Sequence, residues 1–171
     1  MSIDPSQTYV LLAPTGAAEQ VPGGEAFWSR PPAELDEMGR RWLVSEFECD
    51  ADWASWEMHP EGDEFVYLLS GEATFVLDGP AGPTRIPLRD RAAVVVPQGV
   101  WHTAEVTAPS RMLFVTLGAG TQHRPVTREV GPDRRAGGGD AEGRRARRRQ
   151  RADVRRRQRR PDDRRGRRAA A

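Results

Sequence analysis

The sequence has no lysine, a single cysteine and no long hydrophobic run. All 26 basic residues among the 171 are arginine, and Cys49 has no second cysteine with which to form an internal disulfide. This excludes the disulfide-rich class of small secreted domains. No apolar stretch approaches the roughly 20 residues that cross a bilayer, and the first residues lack the basic and apolar regions of a secretory signal. We therefore expect a cytoplasmic protein without a membrane partner.

The net charge of +1 conceals two parts of opposite sign. From Arg134 to Ala171 there are 17 arginines and 5 acidic residues, a net charge of +12. The residues before Arg134 carry 9 arginines and 20 acidic residues, a net charge of −11. Nucleic-acid binding requires a basic face, so the acidic part is not expected to bind nucleic acid. The chain is long enough for one domain with a core of its own.

After Leu117 the chain contains no Leu, Ile, Phe, Trp, Tyr or Met. Such a segment cannot bury enough apolar surface to offset its loss of conformational entropy, so residues 129–171 are predicted to be a disordered basic tail. Three interpretations stay open. The tail could bind nucleic acid through phosphate contacts, it could fold back on its own acidic domain, or it could be the product of a shifted reading frame in GC-rich DNA. Nucleic acid is an expected partner only if the tail is genuine.

Short apolar segments separated by Gly, Pro, Asp and Ser fill the chain between Thr8 and Leu117. This spacing is typical of an all-β sandwich or barrel. Strands are predicted at residues 8–13, 41–48, 55–59, 64–70, 72–78, 84–89, 92–97, 100–106 and 111–117. Turn residues lie at 70–72, 78–83, 97–99 and 108–110, and residues 31–41 form either a helix or a turn-rich loop.

Carboxylates and histidines are concentrated around the start of one predicted strand. Side chains alternate faces along an extended chain, so Trp53, Glu57 and His59 share a face, and Glu64 opens the next strand. His102 lies on an apolar strand face, where it requires a partner. Each residue alone has an ordinary explanation as a solvated strand end or a hydrogen-bonded core histidine. Together they form E-x-H-x4-E-x6-G followed by P-x-G-x2-H, a two-part pattern that chance rarely produces.

Over residues 40–118 this pattern resembles the two motifs of the cupin superfamily, whose members are small jelly-roll β-barrels. The ligand positions and closing glycine of the first motif fall on Glu57, His59, Glu64 and Gly71. The second motif is met by Pro97, Gly99 and His102, with Asp90 and Val106 in place of its first glycine and its final asparagine. The resemblance implies a cupin-type jelly-roll β-barrel, and Gly71 is expected to make a tight turn.

Glu57 departs from the family pattern, because cupins typically hold one divalent metal ion with three histidines and a glutamate. The resemblance implies a site of Glu57, His59, Glu64 and His102 for one Mn, Fe, Zn or Ni ion. Alternatively, Glu57 turns away and leaves His59, Glu64 and His102 as a 2-His-1-carboxylate triad with open positions. In a third interpretation, Glu57 and His59 form a hydrogen-bonded network in a barrel without metal.

The resemblance implies a function on a small organic molecule, through an oxygenase, isomerase or lyase type of reaction at the metal. Glu57 would then be a ligand or a general base, and Trp53 would line the substrate pocket. The alternative is a non-catalytic module that binds a small ligand or metal. Arg85 and Arg89 could orient an anionic ligand, although surface charge is the simpler explanation.

The domain organisation expected from the sequence has three parts. Residues 1–40 supply a strand and a Pro/Gly-rich segment that covers the barrel, by swapping between chains or by lying along the same chain. Residues 41–128 form the barrel, and 129–171 form the tail. Because exposed sheet edges are commonly covered by a partner, we expect a homodimer.

Overall fold

The computed structural model describes residues 2–127, and the predicted tail at 129–171 lies outside the described residues. Within them the structure is mainly β, with nine strands and two short helices. The strands are β1 Thr8–Leu12, β2 Ala18–Pro22, β3 Trp42–Cys49, β4 Ser55–Met58, β5 Glu64–Gly79, β6 Gly82–Leu88, β7 Ala93–Val96, β8 Trp101–Leu117 and β9 Gln122–Pro125. The helices are α1 Glu25–Trp28 and α2 Pro32–Met38. The all-β prediction is confirmed.

All the strand pairs are antiparallel, and two long strands organise the sheet. The order along one path is β2-β1-β3-β8-β4-β9, and β5 pairs with β6, β7 and β8. β5 and β8 run against each other from the Phe65 and Val115 pair to the Asp78 and Trp101 pair. Each of these strands therefore contributes to both ends of the barrel. The start of β8 pairs with β4, and the start of β5 lies beside the start of β8.

The turns predicted at residues 70–72 and 108–110 are wrong, because both segments lie inside continuous strands. Gly71 does not close a hairpin. It lies where the β5 and β8 register shifts, with a φ of 88°. A Cβ on Gly71 would lie 2.3 Å from the carbonyl oxygen of Pro109. Glycine is thus required here by a positive φ and by the close approach of two strands at a bulge.

Three elements were not predicted from the sequence. β2 and β9 are short and mostly polar, and only one residue of the two strands together is buried. α1 is a single turn in a Gly-rich region. The helix predicted at 31–41 is present as α2, residues 32–38, with a proline at its first turn. The weak hydrophobic alternation of β2 and β9 explains why strand periodicity failed to identify them.

The core consists of two clusters of buried side chains. One fills the barrel and includes Val66, Leu68, Phe75 and Met112, each fully buried. The second is formed by side chains of the N-terminal elements and β3, namely Tyr9, Leu11, Val21, Phe27, Met38 and Leu43. Burial of a large apolar side chain contributes about 1.5–3 kcal/mol. The N-terminal hairpin pairs with β3 through β1, and the choice between swapping and packing on the same chain stays a prediction.

Among residues 2–127, no helix has the length and apolar character needed to cross a membrane.

Candidate metal centre

Three neighbouring strands place acidic and imidazole side chains in one row. In the register of β4, Glu57 pairs with His102 of β8 on one side and with His123 of β9 on the other. Directly opposed residues of antiparallel strands point to the same face. Glu57 therefore lies between two histidines, and His59 follows it just beyond the end of β4.

His59 is buried, and its hydrogen bond determines which ring nitrogen is available. Its Nδ1 lies 2.9 Å from the hydroxyl oxygen of Thr121, and that hydroxyl donates its own proton to the carbonyl of Gly118 at 2.8 Å. Because the hydroxyl proton is already used, the hydroxyl accepts a hydrogen bond from His59 Nδ1–H. The lone pair of His59 is consequently on Nε2, which has no hydrogen-bond partner.

His102 is fully buried and is held in the same tautomer by a different group. Its Nδ1 lies 3.3 Å from the carbonyl oxygen of Val100. A carbonyl oxygen can only accept a hydrogen bond, so Nδ1 carries the proton. Its Nε2 also lacks a hydrogen-bond partner.

Glu64 is the buried carboxylate of the cluster, with 3% of its surface exposed. Its Oε1 accepts a hydrogen bond of 2.6 Å from the hydroxyl of Thr116 and lies 3.4 Å from His59 Nε2. Its Oε2 lies 3.1 Å from His102 Nε2, but without the alignment of a hydrogen bond. The two histidines therefore approach different oxygens of the same carboxylate.

The charges in the cluster are coupled. Burial alone raises the pKa of Glu64, but its contacts with His102 and His59 and their positive charge outweigh burial and lower that pKa to about 2. For His102, burial lowers the pKa, and the interaction with the Glu64 carboxylate outweighs it, so the pKa is raised. In the absence of a metal ion, a proton on His102 is thus stabilised by Glu64. A metal ion must displace that proton in order to bind.

Glu57 is closer to the cavity surface, with 29% of its side chain exposed. Ligand atoms of Glu57, His59 and His102 lie within 4.8 Å of one another, so this carboxylate can reach a shared ion. Its Oε1 also lies 3.1 Å from His123 Nε2. Glu57 is therefore shared between the cluster and a third histidine that neither sequence motif contains.

The donor atoms fit a divalent metal ion. Among the described residues, the buried polar side-chain atoms without a hydrogen-bond partner are Arg30 Nε and three atoms of this cluster, His59 Nε2, His102 Nε2 and Glu64 Oε2. Leaving such an atom unsatisfied costs about 1–3 kcal/mol. A single cation would satisfy all three, and imidazole with carboxylate suits Mn, Fe, Ni or Zn. Histidines whose other nitrogen donates to a fixed acceptor are typical of metal sites.

A cavity of about 960 Å³ opens beside the cluster, and its walls are largely apolar and aromatic. Trp53 lies in this wall, with its ring centroid 6.2 Å from that of His102 and 6.1 Å from that of Phe114. Cys49 also lines the cavity. Burial raises the pKa of the Cys49 thiol, so the residue is a thiol at neutral pH and a poor nucleophile.

The other aromatic and basic candidates lie away from this cavity. The guanidinium group of Arg124 stands 5.3 Å from the ring centroid of Trp56 and 4.6 Å from that of Trp101. These two rings are on the opposite face from the histidines, as strand alternation predicts. Arg85 forms an exposed ion pair with Glu105, and Arg89 lies 3.5 Å from Glu72. Neither arginine lines the cavity.

Sequence reasoning missed the residues that orient the cluster. Thr116 could have been predicted from the sequence to point inward, because strand alternation places it on the same face as Met112 and Phe114. No feature of the sequence indicated Thr121 or His123, because both follow the second motif in a polar segment without strand periodicity. The structure brings them to the site through the pairing of β9 with β4.

The sequence model of the cupin domain matches residues 44–117. Residues 44–117 are a cupin domain. The match spans β3 to β8 of this cupin and contains Glu57, His59, Glu64 and His102. The resemblance to the family and the predicted cupin fold are therefore confirmed.

Solved structures similar to this cupin include three chains of related fold. A cupin-2 domain containing protein from Shewanella frigidimarina is 16% identical, with a TM-score of 0.38, and the alignment covers 43% of this chain and 68% of that one. A cupin superfamily protein from Desulfitobacterium hafniense is 25% identical, with a TM-score of 0.39, over 44% and 66% of the two chains. Hydroquinone 1,2-dioxygenase from Sphingomonas sp. is 18% identical, with a TM-score of 0.37, over 43% and 57%. A search of the curated proteins found no match.

Proposed function

We propose that this cupin binds one divalent metal ion through His59, Glu64 and His102 and acts on a small organic molecule in the adjoining cavity. The observation that carries the proposal is the convergence of three buried donor atoms, one from each residue, that have no hydrogen-bond partner. The ion would be Mn, Fe, Zn or Ni. When bound, it would supply a Lewis acid with open positions that polarise an oxygen of the substrate.

The surrounding side chains prepare the donor atoms for this role. Thr121 and the Val100 carbonyl hold the two imidazoles with Nδ1 protonated, so each ring would present Nε2 to an ion that displaces the proton stabilised by Glu64 on His102. Thr116 donates to one oxygen of Glu64 and leaves the other free. Such outer partners fix the orientation of ligands and maintain their basicity.

Glu57 has a separate role in the proposal. It is less buried than Glu64, lines the cavity and contacts His123. We propose that Glu57 is the catalytic base or acid that exchanges a proton with the substrate, because a general base must lie within hydrogen-bond reach of the reacting group. Ligation of the ion by Glu57 as a fourth ligand is the alternative.

The site suits an oxygenase, isomerase or lyase type of reaction, because two imidazoles and one carboxylate leave positions open for a substrate. Trp53 and Phe114 would form the apolar wall of the substrate pocket. The alternative function is a module that binds metal or a small ligand without turnover. Metal-loaded protein that binds ligands but is inactive in oxygen-consumption and isomerase assays would favour this alternative.

The experiment that tests the proposal is elemental analysis of the full-length protein purified without added metal and then exposed to Mn, Fe, Ni and Zn separately. We expect about one equivalent of metal per chain, with loss of that metal in His59→Ala, His102→Ala and Glu64→Gln. His123→Ala is the matched control, because it removes an imidazole that lies outside the three proposed ligands. Circular dichroism would verify that each variant is folded. Full occupancy in folded His59→Ala and His102→Ala would overturn the proposal.

A further inference from the structure

The cavity is lined by negative charge. Five acidic side chains contribute to its walls, namely Asp36, Glu48, Asp50, Glu57 and Glu64. No arginine or lysine is found among the described residues that line it. A pocket that binds an organic acid needs a cation to pair with the carboxylate, and Arg is the usual choice. Without a bound metal ion, the cavity therefore disfavours an anionic ligand.

Two of these carboxylates form no ion pair with any residue that the structure describes. Glu64 contacts histidines, Glu57 contacts His123, and Asp36 accepts a hydrogen bond from the backbone of Gly120. Glu48 and Asp50, in contrast, are exposed, and no ion pair within residues 2–127 includes either of them. Because they line the cavity and also contact solvent, they lie at its open side, where an entering ligand would meet them.

Aromatic rings accompany the acidic groups. The cavity is lined by Phe27, Trp28, Phe47, Trp53 and Phe114. Trp28 is 50% exposed, although its ring packs 4.8 Å from that of Phe27. Because Trp28 both lines the cavity and contacts solvent, its exposed ring is accessible to a ligand. Aromatic faces also attract organic cations, and nearby carboxylates strengthen that attraction.

We propose that the ligand of this cavity is an aromatic compound that carries a protonated amine and no acidic group. The aromatic part would pack against Trp28, Trp53 and their neighbours, and the ammonium group would lie at the open side near Glu48 and Asp50. This inference rests on the proposed function in that it names the class of molecule for the same cavity. It does not require the metal ion, because the charges and rings are present in the metal-free chain.

The test uses three probes of nearly equal size: 2-phenylethylamine, 2-phenylethanol and phenylacetate. Their affinities for the full-length protein would be measured by calorimetry at low ionic strength, with metal removed and again with metal added. In the metal-free protein we expect the amine to bind most tightly and phenylacetate least, with about a tenfold difference between amine and alcohol. Phenylacetate binding as tightly as the amine in this form, or no binding of any probe, would overturn the inference.

Paired variants assign the effect to the cavity. The double variant Glu48→Gln and Asp50→Asn is expected to weaken amine binding about tenfold and to leave binding of the alcohol unchanged. Trp28→Leu is expected to weaken both the amine and the alcohol. Glu61→Gln and Trp101→Leu are the controls, since these residues do not line the cavity.

The inference and the proposed function fail in different ways. Loss of the amine preference in metal-free protein overturns the inference and leaves metal binding intact. Failure to bind metal overturns the proposed function and leaves the preference for the amine measurable. Weakening of amine binding by the control variants to the same extent as by the cavity variants would also contradict the inference.

Discussion

Thr121 connects a polar loop to the imidazole of His59. Its hydroxyl donates to Gly118 and accepts from His59 Nδ1–H, so one side chain determines both the tautomer and the orientation of the ring. His102 uses a backbone carbonyl for the same purpose, which no side-chain substitution can remove. Of the two histidines, His59 is therefore the one whose orientation can be changed by mutation of a neighbour.

We predict that Thr121→Val lowers metal affinity about 10- to 100-fold, the usual effect of removing an outer partner of a metal ligand. The variant keeps the shape of the side chain but removes the acceptor for His59 Nδ1–H. Competition with a chelator would measure the affinity. Thr107→Val, which alters an exposed hydroxyl bonded to the Glu72 carbonyl, is the control. Unchanged affinity in Thr121→Val would show that the hydrogen bond does not orient the ligand.

The two carboxylates are predicted to respond differently to the same change. Glu57→Gln is expected to retain about one equivalent of metal and to abolish turnover, because the group proposed to exchange the proton is lost. Glu64→Gln is expected to lose the metal, because a neutral amide replaces the buried anionic ligand. Elemental analysis and activity would be measured on the same samples. Loss of metal in Glu57→Gln would instead support the four-ligand alternative.

The coupling of Glu64 and His102 predicts an unusual pH dependence for the metal-free protein. The pKa of Glu64 is lowered from 4.5 to about 2, so its contribution is present above about pH 4.5 and is lost as the pH falls towards 2. The pKa of His102 is raised from 6.5, so its contribution is present below about pH 6.5 and is lost as the pH rises through the folded value. The free energy of unfolding should be greatest between these limits.

Urea unfolding in the presence of a chelator, at several pH values between about 3 and 9, would test this prediction. The loss of stability above about pH 6.5 should disappear in His102→Ala. A stability of the metal-free wild-type protein that increases steadily towards alkaline pH would contradict the assigned coupling. Added metal should reverse the alkaline trend, because deprotonated histidine binds metal.

The long strands β5 and β8 bend together at Gly71, and this bend is the feature of the sheet most dependent on a single residue. Gly71→Ala is predicted to lower the free energy of unfolding by about 3 kcal/mol, from the positive φ together with the contact at Pro109. Gly16→Ala is a matched control, since Gly16 has a φ of 86° and a Cβ there would meet nothing within 4 Å. It should cost only about 1–2 kcal/mol. Equal losses measured by urea unfolding would show that the strand contact contributes little.

The N-terminal elements and the barrel meet beside the candidate metal centre. Ala119 N donates to the Gly39 carbonyl at 3.1 Å, and a Cβ on Gly39 would lie 2.5 Å from Ala119 N. Asp36 accepts a hydrogen bond from Gly120. These contacts hold the segment that precedes Thr121, so the cavity wall from α2 and the orientation of His59 depend on the same small region.

The homodimer expected from exposed sheet edges stays a prediction for the whole molecule. Sedimentation equilibrium of the full-length protein should give about twice the chain mass of 19.0 kDa. A monomer mass over the concentration range of the experiment would contradict the prediction. Metal-free and metal-loaded samples would be compared, so that any effect of metal on the mass is detected.

The amino-acid sequence was sufficient to predict the main strands and the residues proposed as ligands. This was possible because strand alternation and turn residues are local, and because the two motifs keep Glu57, His59, Glu64 and His102 at regular spacings. The local pattern was misleading at Gly71, where a glycine after a serine indicates a turn. Only the pairing of β5 with β8 shows that the chain continues through this position as one bent strand.

The partners of the proposed ligands depended on tertiary structure. His123 reaches Glu57 across two paired strands, from 66 residues away in the chain, and Thr116 reaches Glu64 from 52 residues away. The acidic and aromatic lining of the cavity likewise combines α1 and α2 with β3 and β8. Hydrogen bonds and charge act over a few ångströms in space, whereas sequence periodicity reports only neighbours along the chain. The residue types at the site were therefore readable from the chain, but their protonation, orientation and surroundings were decided by the fold.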